Sequence, residues 1–200
     1  MCGIMLRVLE NELCAIFDNL SNLNSKRGPD SHSSVRLKSA YGTIEMHGWV
    51  LNLRGKSQQQ PLRNIENNQF LLFNGEIYDG IKVSPDENDC KVLGNLLFNC
   101  KSREDILRVV SKIQGEFSLI FYHYNFGLFF CRDFLGRRSL LGAFKNEKLA
   151  GLSSVSDGQN DWKEISTLGV YYVDIKDPEF LPVLLEWNKV EGLTCFKSFK

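Results

Sequence analysis

The sequence predicts a layered α/β domain, and three observations carry that expectation. The two clearest strands, over residues 117–122 and 126–131, are apolar at consecutive rather than alternate positions, so both of their faces need covering. Helical spacing of apolar residues is confined to a segment near the start and to the middle of the chain. Strand-like runs flank that middle on both sides. A second sheet on one face and helices on the other would cover such strands. The pattern by itself leaves the layer order open.

Residues 2–9 form a short apolar run that reads as a buried strand. Over 12–23, Leu13, Ile16, Phe17 and Leu20 recur at helical spacing, and Arg27-Gly28-Pro29-Asp30 ends that pattern with two turn formers. Residues 44–53 read as a strand in which Gly48 suggests a bulge. A short strand over 70–73 is expected to stop at Asn74-Gly75, a strong turn dipeptide. Asn88 or Asp89 can cap a helix running to about residue 99, and helical spacing resumes over 106–113. After the central strand pair, joined by a turn at Tyr124-Asn125, shorter strands are expected near Leu140 and over 149–152, 169–174 and 181–187, with a polar loop over 153–162.

A chain of 200 residues with 43% hydrophobic content suits one domain with a core. Lys plus Arg and Asp plus Glu both number 24, so no net field draws nucleic acid or anionic lipid. Arg7, Glu10 and Glu12 interrupt any signal-like apolar run, and no stretch is long enough to span a bilayer. A cytoplasmic location is therefore expected. The six cysteines include no C-x-x-C pair, which argues against a zinc site or a disulfide framework. His32, His47 and His123 are scattered rather than set at metal-ligand spacing, so no metal is expected.

Cys2 is the residue with distinctive chemistry. Met1 precedes a small residue and is expected to be trimmed, which would leave Cys2 with a free α-amine beside its own thiol. The thiolate is the nucleophile. An α-amine with a reference pKa near ~8 can take the thiol proton and later return it to a leaving group. Nucleophile and base then share one residue, and Gly3 is expected to leave room for a substrate. A buried cysteine that happens to lie near the start is the plainer alternative.

Met1-Cys2-Gly3-Ile4, Arg27-Gly28-Pro29-Asp30, Gln60-Pro61-Leu62, Phe73-Asn74-Gly75-Glu76-Ile77-Tyr78, Asn88-Asp89-Cys90, Gly115-Glu116-Phe117 and the run Arg132-Asp133-Phe134-Leu135-Gly136-Arg137-Arg138 occur in one order along the chain. In that order and at that spacing they resemble class II, N-terminal-nucleophile glutamine amidotransferases of the asparagine synthetase family. The form of the second and last motifs disfavours the sugar-phosphate and purine-pathway relatives. The resemblance implies a four-layer αββα sandwich of the Ntn-hydrolase kind over residues 2–188, with 189–200 as the start of a linker to an absent C-terminal synthetase domain.

The resemblance also implies a site. Cys2 would attack the side-chain amide of glutamine, while Asn74 and the Gly75 backbone N–H would hold the oxyanion. Asp89 and Glu76 would contribute to binding glutamine. Asn74-Gly75 also reads as an ordinary hairpin turn, and the turn and catalytic readings can both hold; for Asp89 the plainer alternative is an ordinary helix cap. Arg132-Asp133 reads as an ion pair or turn brace rather than as catalytic.

Two departures qualify this. The position counted for the family's carboxylate-binding arginine is Trp49, which has one N–H and no charge. Losing a charged hydrogen bond costs roughly 1.5–3 kcal/mol, so weak or altered glutamine binding is expected. Arg54 and His47 are imperfect substitutes. No Ser-Gly-Gly-x-Asp-Ser loop and no Walker pattern occurs, so no cofactor is expected here; ATP and Mg would belong to the synthetase domain. Expected partners are glutamine and a C-terminal asparagine synthetase domain or partner chain, with no nucleic acid and no membrane. The competing function is a degenerate domain that keeps the fold as an interaction or regulatory module.

Overall fold

The structure is a computed structural model that describes residues 2–9, 14–52, 56–158 and 161–187, with the side chains of 14–18 excepted. Arg54 and the proposed linker over 189–200 lie outside the described residues.

The first element is β1 (Gly3–Leu9), followed by helix α1 (Cys14–Ser25). Next come β2 (Ser31–Lys38), β3 (Thr43–Val50), β4 (Leu62–Asn64) and β5 (Gln69–Asp79). Helices α2 (Asp89–Phe98) and α3 (Arg103–Ser111) then lead into β6 (Gln114–His123) and β7 (Gly127–Arg132). The chain continues through β8 (Leu141–Lys145), β9 (Lys148–Ser153), β10 (Trp162–Glu164), β11 (Gly169–Val173) and β12 (Val183–Glu186).

The strands form two six-stranded antiparallel sheets, ordered β10-β8-β9-β1-β3-β2 and β12-β11-β7-β6-β5-β4. Between them lies an apolar core in which Ile4, Leu6, Ile44 and Met46 of the first sheet meet Phe70, Leu72, Ile120, Tyr122 and Phe130 of the second. The other face of the second sheet, with Leu71, Phe73, Leu119, Phe121 and Phe129, packs on Leu93 and Leu97 of α2 and on Ile106 and Val110 of α3. Met5 and Trp49, on the outer face of the first sheet, pack with Leu20 of α1. The order is therefore helix, sheet, sheet, helices, which is the αββα sandwich. The consecutive apolar runs of β6 and β7 follow from it, since each serves two cores. No helix among the described residues is long and apolar enough to cross a membrane.

Three local expectations are corrected. Asn74-Gly75 is not a turn: β5 runs through it, pairing Asn74 with Ser118 and Gly75 with Phe117. Gly75 is glycine because a Cβ there would sit 2.2 Å from the Glu116 carbonyl oxygen. Gly48 is not a bulge: β3 keeps register with both neighbours, and a Cβ on Gly48 would meet Gln60 at 2.6 Å. The space beside Gly3 is filled by the Asn24 backbone, whose oxygen would lie 2.5 Å from a Cβ. The strands β2, β4 and β10 are additions to the expected elements.

Candidate active site

The inter-sheet core turns polar at one level. Side chains two apart on a strand share a face, so Asn74 continues the row of Phe70 and Leu72, Ser118 that of Tyr122 and Ile120, and Arg132 that of Leu128 and Phe130. Asn74, Ser118 and Arg132 stand opposite one another across β5, β6 and β7. From the other sheet, Cys2 precedes Ile4 on the same alternation. Cys2, Asn74, Gly75, Glu76 and Asp89 all line one cavity of about 250 Å³.

Each wall is fixed by local structure. Cys2 is half-buried, and its thiol donates to the Leu51 carbonyl at 3.7 Å. Burial pushes that thiol above its ordinary pKa, while the positive charges of Arg138 and Arg27 act in the opposite direction. The Arg27–Asp30 turn holds the strand end that leads to Leu51. A Cβ at Gly28 would overlap the Trp49 carbonyl, Asp30 donates its N–H to Val50, and its carboxylate accepts the Asn52 N–H at 2.8 Å. Gln60 brackets β5 through its side chain, accepting from Phe73 N–H at 2.7 Å and donating to the Phe73 carbonyl at 2.9 Å. That bracket sits immediately before Asn74.

The capping alternatives separate cleanly. Asn88 caps α2, accepting from the N–H groups of Cys90 and Lys91. Asp89 is the first helical residue, is buried, and accepts the Ile77 N–H at 3.1 Å. Its carboxylate thus ties α2 to β5 beside Glu76. Asn74 contrasts with these bonded walls. It is 1% exposed, and neither its amide nitrogen nor its amide oxygen has a hydrogen-bond partner. The Ser118 hydroxyl opposite is also buried without one.

Trp49 is placed elsewhere. It faces outward with Met5 and Leu20, stacks on His32 with ring centroids 4.6 Å apart, and is not among the residues lining the cavity. The histidines form a pair there, His32 Nε2 to His47 Nδ1 at 3.4 Å. Arg132 and Asp133 are not paired with each other. Arg132 reaches Glu164 and the carbonyls of Arg138 and Gly136, while Asp133 accepts four backbone N–H groups of its own turn and of β6. Among the described residues no group of three or more His, Cys, Asp or Glu side chains is placed to hold a metal ion.

Among the lining residues that sequence reasoning did not assign to a site are Gln60 and Arg138. Both stood inside motifs already quoted, but only the fold shows which way they face. Arg138 pairs with Glu116 and lies 3.9 Å from Glu76.

Comparison with known proteins bears on the family and the fold. The chain is 42% identical over 165 residues to asparagine synthetase domain-containing protein 1 of Bos taurus, covering 80% of this chain and 26% of that protein. The Homo sapiens protein of the same name is 41% identical over 168 residues, covering 80% and 25%. This chain thus spans about a quarter of the length of these relatives. In fold it is similar to the glutamine phosphoribosylpyrophosphate amidotransferase of B. subtilis solved with ADP and GMP, with a TM-score of 0.61, 13% identity, and coverage of 87% of this chain and 47% of that one. A family model described as "Glutamine amidotransferase domain" matches residues 50–157, more than half of the chain. The chain belongs to the glutamine amidotransferase domain family.

Proposed function

We propose that this domain hydrolyses the side-chain amide of glutamine, with Cys2 as N-terminal nucleophile once Met1 is removed. The observation that carries the reading is the Asn74 amide, buried and unpartnered on the wall that Cys2 shares. Leaving a buried donor unmade costs roughly 1–3 kcal/mol. Such a cost is sensible where a ligand makes the bond, and a donor aimed at developing negative charge is the commonest use.

The Cys2 thiol gives its proton to the α-amine, and the thiolate attacks the side-chain amide carbon. The oxyanion accepts from Asn74 Nδ2 and the Gly75 N–H. Collapse of the tetrahedral intermediate breaks the C–N bond, and the α-ammonium returns the proton to the departing ammonia. Water then hydrolyses the thioester to glutamate. Asp89 and Glu76 serve the α-ammonium of glutamine through charge-assisted bonds. The thiol raised by burial needs that adjacent amine and the two arginine charges to ionise near neutral pH. The ammonia serves amide transfer of the asparagine synthetase type, by a synthetase domain or partner chain that uses ATP and Mg.

Intact-mass measurement on purified protein, followed by labelling with a glutamine-analogue electrophile, tests this. The expected outcome is loss of Met1 and a single adduct on Cys2. Retained Met1, or a trimmed protein whose Cys2 stays unlabelled, overturns the enzymatic reading and leaves an interaction module.

A further inference from the structure

We infer, resting on the glutaminase reading, that Arg138 takes the α-carboxylate of the substrate in place of the residue counted at Trp49. An amino acid at neutral pH is a zwitterion, so a cavity that selects it needs both an acceptor for the ammonium and a cation for the carboxylate. The described lining offers Glu76 and Asp89 as carboxylates and Arg138 as its one cation. Arg27 is near enough for its charge to act on Cys2 but does not line the cavity. Trp49 faces the opposite side of its sheet.

Arg138 is built into place rather than draped over the surface. Its side chain is 11% exposed. Its N–H donates to Asp133 at 3.3 Å, and its carbonyl accepts from Arg132 Nε at 2.8 Å. The turn thus fixes the backbone from which the guanidinium enters the cavity. Both of its ion pairs, to Glu116 and Glu76, fall on Nη2, while Nε is buried without a hydrogen-bond partner. A guanidinium has five donors in a planar fork. The pairs engage Nη2 alone, and donor capacity remains on the guanidinium for a second carboxylate. Glu116 then acts as a stand-in that neutralises the arginine until a substrate carboxylate takes its place.

The test compares glutamine with glutaminamide, which keeps the ammonium and side-chain amide but lacks the carboxylate charge. Wild type should favour glutamine in KM. Arg138→Met should raise the KM for glutamine roughly 10–100-fold and leave the KM for glutaminamide almost unchanged, so the preference in KM collapses, while kcat falls for both because one of the charges that helps Cys2 ionise is gone. Arg138→Lys keeps the charge without the fork and should fall between. Glu116→Gln removes the internal competitor and should not raise the KM for glutamine. An equal rise in the KM of both substrates in Arg138→Met marks a merely structural role and overturns the inference. So does collapse of the preference in Arg54→Ala with Arg138→Met unaffected, or a wild type indifferent to the carboxylate. If Arg138→Met does not fold, the substrate ratios of Arg138→Lys and Glu116→Gln decide. A wild type that turns over neither substrate, yet binds glutamine in preference to glutaminamide by calorimetry, refutes the glutaminase reading alone. One that binds neither refutes both.

Discussion

Asn74 and Asp133 are both buried polar residues near the same cavity, and they are satisfied in opposite ways. The Asp133 carboxylate accepts the N–H groups of Phe117, Leu135, Arg137 and Arg138, at 3.1 to 3.3 Å. The Asn74 amide has no partner at all. Burial alone therefore does not separate architecture from chemistry. What separates them is whether the protein itself completes the hydrogen bonds. The completed carboxylate of Asp133 holds a turn, and on the proposed glutaminase reading the uncompleted amide of Asn74 is left for a ligand.

The largest expected effects test that contrast directly. Asp133→Ala orphans several backbone donors and should lower unfolding stability by about 3 kcal/mol or more, seen in denaturant titration. Asn74→Ala removes two unsatisfied atoms and should leave stability within about 1 kcal/mol of wild type, while glutamine turnover falls about 10²–10³-fold. An Asn74→Ala protein that unfolds as early as Asp133→Ala would erase the distinction, because Asn74 would then be structural.

The same contrast marks how far sequence reasoning reaches. The doubly buried strands β6 and β7, the helical middle and the motif that brings Asn74, Gly75 and Glu76 together are all legible, because burial on two faces forces consecutive apolar residues. The strand β2 was not. Its sequence Ser31–Lys38 is mostly polar and lies at a sheet edge, where half of its residues are exposed, so only the alternation of Val35 and Leu37 remains as a signal. Asn74-Gly75 was misread for a different reason. Local turn preference is overridden by pairing with β6, and the glycine answers a close approach by Glu116. Arg138 and Gln60 were visible as motif letters, but the direction of a side chain from a turn is a tertiary fact.

A second comparison sets the cavity against the outer face of the first sheet. There, polar groups are paired among themselves. Arg7 and Arg36 hold Glu45, which lies 3.5 Å from His47, which in turn pairs with His32 over Trp49. Burial holds the His32 and His47 pKa values below the usual imidazole range. A base whose folded value is depressed takes up protons more readily when unfolded, so stability is fullest above the unfolded value near ~6.5 and is lost as pH falls through it. Unfolding stability should therefore decline from pH 7.5 to pH 5. His32→Gln with His47→Gln should flatten the decline without abolishing it, since His123 is depressed by burial as well. An unchanged slope in the double variant would show that the pair does not titrate with folding.

The smallest expected effect concerns Trp49, and it is the sharpest test of which face matters. If the counted position were a substrate contact, Trp49→Arg would restore a carboxylate partner and lower the KM for glutamine. The side chain instead packs against Met5 and Leu20 and stacks on His32. An arginine there would place a charge against α1, on the far side of the sheet from the cavity. Trp49→Arg should accordingly lose stability through lost packing and a poorly solvated charge, with KM unimproved. The milder Trp49→Phe should lower stability by about 1 kcal/mol and leave the kinetic constants where they are. Steady-state kinetics on the two proteins read this. A KM for glutamine that falls in Trp49→Arg would mean that β3 presents this position to the substrate, and Arg138 would lose its claim to the carboxylate.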